Sequence, residues 1–254
     1  MDRLSRLLFL LPLLLLISCG SSVEMIEEEE PVGFSPWYTI DESLEPDPVI
    51  ESRLQTWRKE HNTLMGEPVT TAEGPFRLQL PESSLGNLTT DILRYRASLE
   101  MHTFVHIALL HPDHLKTDLP EGEVTAGDLY ELMPFDHTLV VLEIDGRSVQ
   151  RLADDIASRG GTPISGMRMN ITDGRASGLL IDSEQPDPET TYYLATSSAV
   201  AGGDGEYTIT ATDRHDFPIK VRDLLITYLK NRQQFTPVED LRIRNLDTPV
   251  RSGR

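Results

Sequence analysis

The chain has 254 residues, 39% of them hydrophobic, with 41 acidic against 23 basic side chains and a net charge of −18. Such a charge repels phosphate backbones and argues against nucleic acid as a partner. A single cysteine, Cys19, excludes an internal disulfide and a metal–thiolate cluster.

The first residues read as a bacterial lipoprotein signal over 1–18. Arg3 and Arg6 give a positive start, Leu7 to Leu16 an apolar run, and Leu16-Ile17-Ser18-Cys19 a lipobox. A run of about ten apolar residues is too short to span about 30 Å of hydrocarbon, which favours a cleaved leader over a permanent helix. Cys19 is the expected lipidation site, and two acyl chains hold a protein firmly where one is marginal. The expected location is therefore a bacterial membrane, on the periplasmic side or at the cell surface. Removing 1–18 takes away Asp2, Arg3 and Arg6 and leaves a net charge of −19. Residues 19–46, with Glu27 to Glu30 and prolines at 31, 36 and 46, read as an acidic tether; like charges and few apolar residues keep such segments extended.

From Asp47 the pattern turns helical, with Val49, Ile50, Leu54, Trp57 and Leu64 near one-face spacing. A second helix is expected from Ser83 to about Leu99, with Leu85, Leu88, Ile92 and Leu93 on one face. Phe104 to Leu110 reads as a short buried strand. Thr125 and Asp128 form a capping-box start to a short helix. Leu139 to Ile144 is a β-branched run ending at Asp145-Gly146, before a helix from about Ser148 to Ala157. Met167 to Ile171 and Gly178 to Ile181 flank an Asp173-Gly174 turn and read as a hairpin. Thr191 to Thr196 is a further strand, and Ile219 to Lys230 the last helix. Strands and helices mix without regular βαβ alternation, which predicts an α+β fold with a mixed β-sheet in one domain, residues 47–246, followed by a tail over 247–254.

Three segments carry the chemistry: Ser84-Leu85-Gly86-Asn87-Leu88, Pro134-Phe135-Asp136-His137 and Ala201-Gly202-Gly203-Asp204-Gly205. Glycines in such a loop allow positive φ or close approach, and its aspartate accepts two hydrogen bonds. Phe135 after a proline serves equally to stack on a flat ring or to plug a core. His111-Pro112-Asp113-His114, with His102 and His106 nearby, offers imidazole and carboxylate ligands; a polar surface loop is the simpler reading. Ser197 and Ser198 precede a glycine loop without a nucleophile elbow.

In this order the three segments resemble the C-terminal, nucleoside-binding domain of the 5′-nucleotidase family, over roughly Asp47 to Leu246. The resemblance implies that Phe135 stacks on the base and that Asp204 binds the ribose hydroxyls. It places His137 where the family has Asn, and Lys116 where a Gly-Gly-x-Arg turn has Arg. The second stacking aromatic falls at Ser198. Asn87 would reach the pocket rim, Gly166 in Ser165-Gly166 would turn beside the base, and Gly203 would shape the loop; core or turn duty is the competing reading for each. No residue of this chain is expected to be catalytic, and no metal or cofactor is expected in it. The resemblance implies the nucleotide-recognition half of a phosphohydrolase in nucleotide catabolism, acting with a separately encoded metallophosphatase that carries the divalent metals. The alternatives are a non-catalytic lipoprotein with a diverged ligand pocket, and an enzyme using His111, Asp113 and His114.

Overall fold

A computed structural model describes residues 45–247. The leader, Cys19, most of the acidic tether and residues 248–254 lie outside the described residues. The described chain divides at Glu51/Ser52, and the first part contributes only residues 45–51.

Helix α1 spans Pro48–Met65 and starts where the Asp47 carboxylate accepts from the Val49 and Ile50 amides. Its apolar residues, spaced near one face, form no core face. No residue of α1 is buried, and Trp57 is 68% exposed. Strand β1, Pro68–Ala72, pairs with β3, Gly122–Thr125, and with β10, Gln234–Phe235.

A five-stranded sheet forms the centre. Its order is β5 (Ile164–Ser165), β2 (Ile107–Leu109), β8 (Thr191–Ser197), β4 (Thr138–Asp145) and β9 (Ala211–Lys220). Strands β2 and β8 run parallel, and the other neighbours are antiparallel. Side chains alternate across it, as a period of two requires. Leu139, Val141 and Ala195 enter one core, packed with α2 (Ser84–Met101), α3 (Ala126–Leu132) and α6 (Val221–Lys230). Val140, Leu142, Ile144 and Leu194 enter a second core. There they meet α4 (Gly146–Ser158) and the hairpin of β6 (Met167–Thr172) and β7 (Arg175–Ile181), with β11 (Ile243–Asn245) alongside β6. This is the expected α+β fold with mixed pairing.

Local signals explain the element ends. Thr125 and Asp128 complete the capping box of α3, with the Asp128 amide 3.2 Å from Thr125 Oγ1 and the Thr125 amide 2.7 Å from Asp128 Oδ2. Asp145 caps α4 by accepting from the Ser148 amide at 2.6 Å. The strand expected over Phe104 to Leu110 is shorter, and Phe104 is exposed. Strand β9 has no counterpart in the sequence reading. It is a sheet edge whose first four residues are all exposed, so it lacks apolar alternation, and an edge also tolerates Pro218. Among the described residues no helix is long and apolar enough to cross a membrane.

Candidate functional site

Three loops meet at one end of the central sheet. Strands β2 and β8 run parallel and lead into the His111–His114 turn and the glycine loop. Antiparallel β4 begins at the same end, with Leu139 opposite Ser197. The rigid sheet thus fixes where the loops present their side chains.

Phe135 lies in the loop before β4 and is 38% exposed, so it does not plug a core. His137 stacks on it, with ring centroids 5.1 Å apart and planes 10° from parallel. Lys116 Nζ lies 5.3 Å from the centroid of the same ring, within cation–π range. The loop is anchored from behind. Asp136 turns to Lys220 and Arg222, each 2.8 Å away, and Arg222 Nη1 donates to Met133 O at 3.0 Å. The Val221 amide donates to His137 O at 2.9 Å, and Ser198 Oγ accepts from the Thr138 amide at 3.1 Å. Two donors on Asp136 hold its carboxyl below the usual carboxylate range.

Asp204 follows the short α5 (Ser198–Ala201) and Gly203, whose φ of +105° turns the chain into the Asp204 position. The Asp204 side chain is 52% exposed, yet it is held in place: His114 Nε2 lies 2.7 Å from Asp204 Oδ2. That hydrogen bond keeps the Asp204 carboxyl below its ordinary value, against a smaller opposing effect of burial. An ionised carboxylate only accepts, so His114 Nε2 carries the proton. Its other nitrogen, Nδ1, is buried without a hydrogen-bond partner among the described residues. His114 also meets the His137 ring at 4.5 Å and Phe135 at 6.1 Å. The structure therefore gathers Phe135, His137 and Asp204 around one buried imidazole, with Lys116 against the Phe135 ring.

The rings continue through His111, 5.6 Å from His114 and 6.0 Å from Tyr207. Tyr207 bonds to Thr162 at 2.9 Å, and burial pushes its hydroxyl pKa up. Burial likewise lowers His111 and His137 below the ordinary imidazole value. Gly205, at φ +79°, is required here, since a β-carbon would stand 2.5 Å from His111 Cδ2.

The polar-surface-loop reading of His111-Pro112-Asp113-His114 does not hold for His114, which is 3% exposed. Nor do these residues form a set of metal ligands. His114 Nε2 is committed to Asp204, His111 Nδ1 accepts from the Asp113 amide, and the Asp113 side chain is 80% exposed. Asn87 and Gly166 are placed elsewhere. Asn87 is buried and donates to Glu82 Oε1 at 2.7 Å and Val238 O at 3.1 Å, fastening the C-terminal segment to α2. Gly166 lines a separate cavity of about 190 Å³ with Asp91, Arg94, Arg168, Asp240 and Arg242. Its φ is +77°, and a β-carbon there would collide with His106 O.

Sequence alone offers His114 only as a metal or enzyme candidate rather than as the partner of Asp204, and it gives no sign of Arg222. The signal for His114 was its place in the turn before Lys116. Arg222 gave none, because its partners lie 86 to 89 residues away.

A family model described as 5′-nucleotidase, C-terminal domain, matches residues 68–212. The chain belongs to the 5′-nucleotidase C-terminal domain family. The match spans Lys116, Phe135, His137 and Asp204. The trifunctional nucleotide phosphoesterase protein YfkN of Bacillus subtilis is 24% identical over 188 residues, covering 65% of this chain and 13% of that protein. The 5′-nucleotidase of Vibrio vulnificus is 20% identical over 194 residues, covering 72% of this chain and 34% of its relative. The crystal structure of a 5′-nucleotidase precursor from Thermus thermophilus shares the fold. Its TM-score is 0.68 at 24% identity, over 79% of this chain and 44% of that one. The chain thus spans well under two thirds of the length of each of these relatives.

Proposed function

We propose that this domain is the nucleotide-recognition half of a 5′-nucleotidase-like phosphohydrolase, with the metallophosphatase supplied by a separately made chain. The observation that carries the reading is the pairing of a half-exposed Phe135 ring with a fixed, ionised Asp204 carboxylate at one end of a rigid sheet. A flat base stacks on the ring, and a ribose diol donates to the carboxylate. Base–aromatic stacking contributes about 1–3 kcal/mol. Lys116 adds a point charge beside the ring for a phosphate, without the two-pronged geometry of an arginine. Family membership supports a nucleotide ligand, and the names of the relatives, a nucleotide phosphoesterase and 5′-nucleotidases, point the same way.

On this reading the phosphate-cleaving centre belongs to the partner chain. The bound nucleotide meets that centre on the partner, across an interface that moves, as inter-domain interfaces commonly do. We further propose that Cys19 carries the lipid that attaches the chain to a bacterial membrane.

A second reading, a ligand-capturing lipoprotein with no catalytic partner, is favoured by two observations. Asp204 is already engaged by His114, and Ser198, the position of the second aromatic, is used to hold the Thr138 amide.

Calorimetric titration with adenosine, 2′,3′-dideoxyadenosine and adenine tests the recognition reading. Adenosine is expected to bind more tightly than either analogue, because only it offers the diol to Asp204. Equal affinity for all three contradicts the role of Asp204. Purified chain is expected to release no phosphate from AMP with or without divalent metal, and metal-dependent release by the lone chain overturns the split-enzyme reading.

A further inference from the structure

Away from the cleft, β4 and β9 bring a second polar cluster together. Glu143 and Asp213 are direct partners across the antiparallel pair, so their side chains share a face. His215 lies two residues along β9, opposite Val141, and the period of two puts it on that same face. His215 Nε2 stands 3.1 Å from Glu143 Oε1 and 3.9 Å from Asp213 Oδ2. One ligand atom of each residue lies within 4.8 Å of the other two.

Two carboxylates directly opposed across a sheet repel each other. Among the described residues neither Glu143 nor Asp213 is paired with a lysine or arginine. The adjacent cation, Arg214, is committed to Asp216 through bonds of 2.9 and 2.8 Å. The cluster therefore has negative charge, an imidazole and no lysine or arginine to balance it.

We propose that Glu143, Asp213 and His215 form a binding site for a divalent first-row cation of the zinc type. An ion held at about 2.1 Å from each donor places tetrahedral ligands roughly 3.4 Å apart, and the two separations at His215 bracket that value. One imidazole nitrogen with two carboxylate oxygens suits zinc. The donors come from two strands of a hydrogen-bonded ladder, so little rearrangement is needed. Asp213 is 64% exposed, which gives the ion an entry path and leaves its remaining coordination to water. Bound there, the ion clips edge strand β9 to β4 and offsets the carboxylate repulsion.

The test uses the full chain, stripped with EDTA, dialysed and titrated with zinc chloride by calorimetry, alongside thermal melts. The parent is expected to bind Zn²⁺ and to melt higher with it. His215→Ala and Glu143→Gln are each expected to weaken Zn²⁺ binding by more than about 100-fold and to abolish the melting shift. His61→Ala, an exposed histidine on α1, is expected to bind like the parent. His215 is only half-buried, so its replacement leaves the fold intact and the melts verify this. Absence of Zn²⁺ binding by the parent overturns the proposal, as does undiminished binding by folded His215→Ala.

Discussion

His114 decides how Asp204 behaves. Buried beside β2, it donates to a carboxylate 90 residues away and is the main reason that carboxylate titrates low. His114→Ala is therefore expected to raise the Asp204 pKa toward the ordinary aspartate value, read from its carboxyl carbon by NMR. The same variant is expected to weaken adenosine binding, by about 1–3 kcal/mol if the hydrogen bond is what orients the acceptor. His114→Gln keeps a side-chain donor and is expected to recover part of the loss. An unchanged Asp204 titration in His114→Ala contradicts the positioning role. At this scale the sequence was partly legible. Phe135, His137, Lys116 and Asp204 were named from motif positions, and they are neighbours in the fold. His114 was visible only as part of a histidine-rich turn, because nothing local marks a residue whose partner lies in another loop. Asn87 and Gly166 show the converse: a motif position does not say which network a side chain joins, and both serve packing outside the cleft here.

Among the elements, α6 reaches the cleft through Arg222. Buried under the Tyr130 ring at 4.1 Å, it holds Met133 O and Asp136 and so fixes the loop that carries Phe135. Arg222→Ala is expected to cost about 1–3 kcal/mol of stability, since Asp136 is exposed enough to be resolvated while Met133 O loses a donor. It is also expected to weaken adenosine binding without touching the ligand. Urea melts and titrations of this variant check both effects, and unaltered binding would show that the loop holds its shape without α6. On α4, Leu152→Ala is expected to cost about 2–5 kcal/mol, because Leu152 is fully buried against the sheet. Elements with their own signals were legible: α3 and α4 through Thr125 and Asp145, and the β6–β7 hairpin through Asp173-Gly174. Strand β9 was not, because a polar edge strand owes its place to pairing with β4. Helix α1 was legible as a helix, while its exposure was not, since periodicity records which residues share a face and not what covers it.

For the molecule as a whole, acid is expected to weaken the fold in two stages. His106, His111 and His137 are all held below the ordinary imidazole value, in each case chiefly by burial. They bind protons more readily unfolded than folded, so their contribution is intact above about pH 6.5 and is lost as pH falls below it. Asp204, held low by His114, contributes stability above about pH 3.9 that disappears on further acidification. Thermal melts from about pH 8 down to about pH 4 are expected to show Tm falling in the first window, and His137→Asn to flatten that fall. A Tm that rises on acidification through that window contradicts this account. At the same scale, Cys19→Ala is expected to leave the chain unprocessed or soluble where the parent sediments with membranes, and unchanged partitioning would rule out lipid attachment at that sulfur.

Phe135 and Asp204 act on one ligand in the cleft, and calorimetry of adenosine with the parent, Phe135→Ala and Asp204→Asn tests this most directly. Saturable binding by the parent is expected, weakened by about 1–3 kcal/mol in each variant through lost stacking and a lost charged acceptor, with melting temperatures close to the parent's. No adenosine binding by the parent, together with a large fall in melting temperature for Phe135→Ala, would contradict the account and leave Phe135 a packing residue.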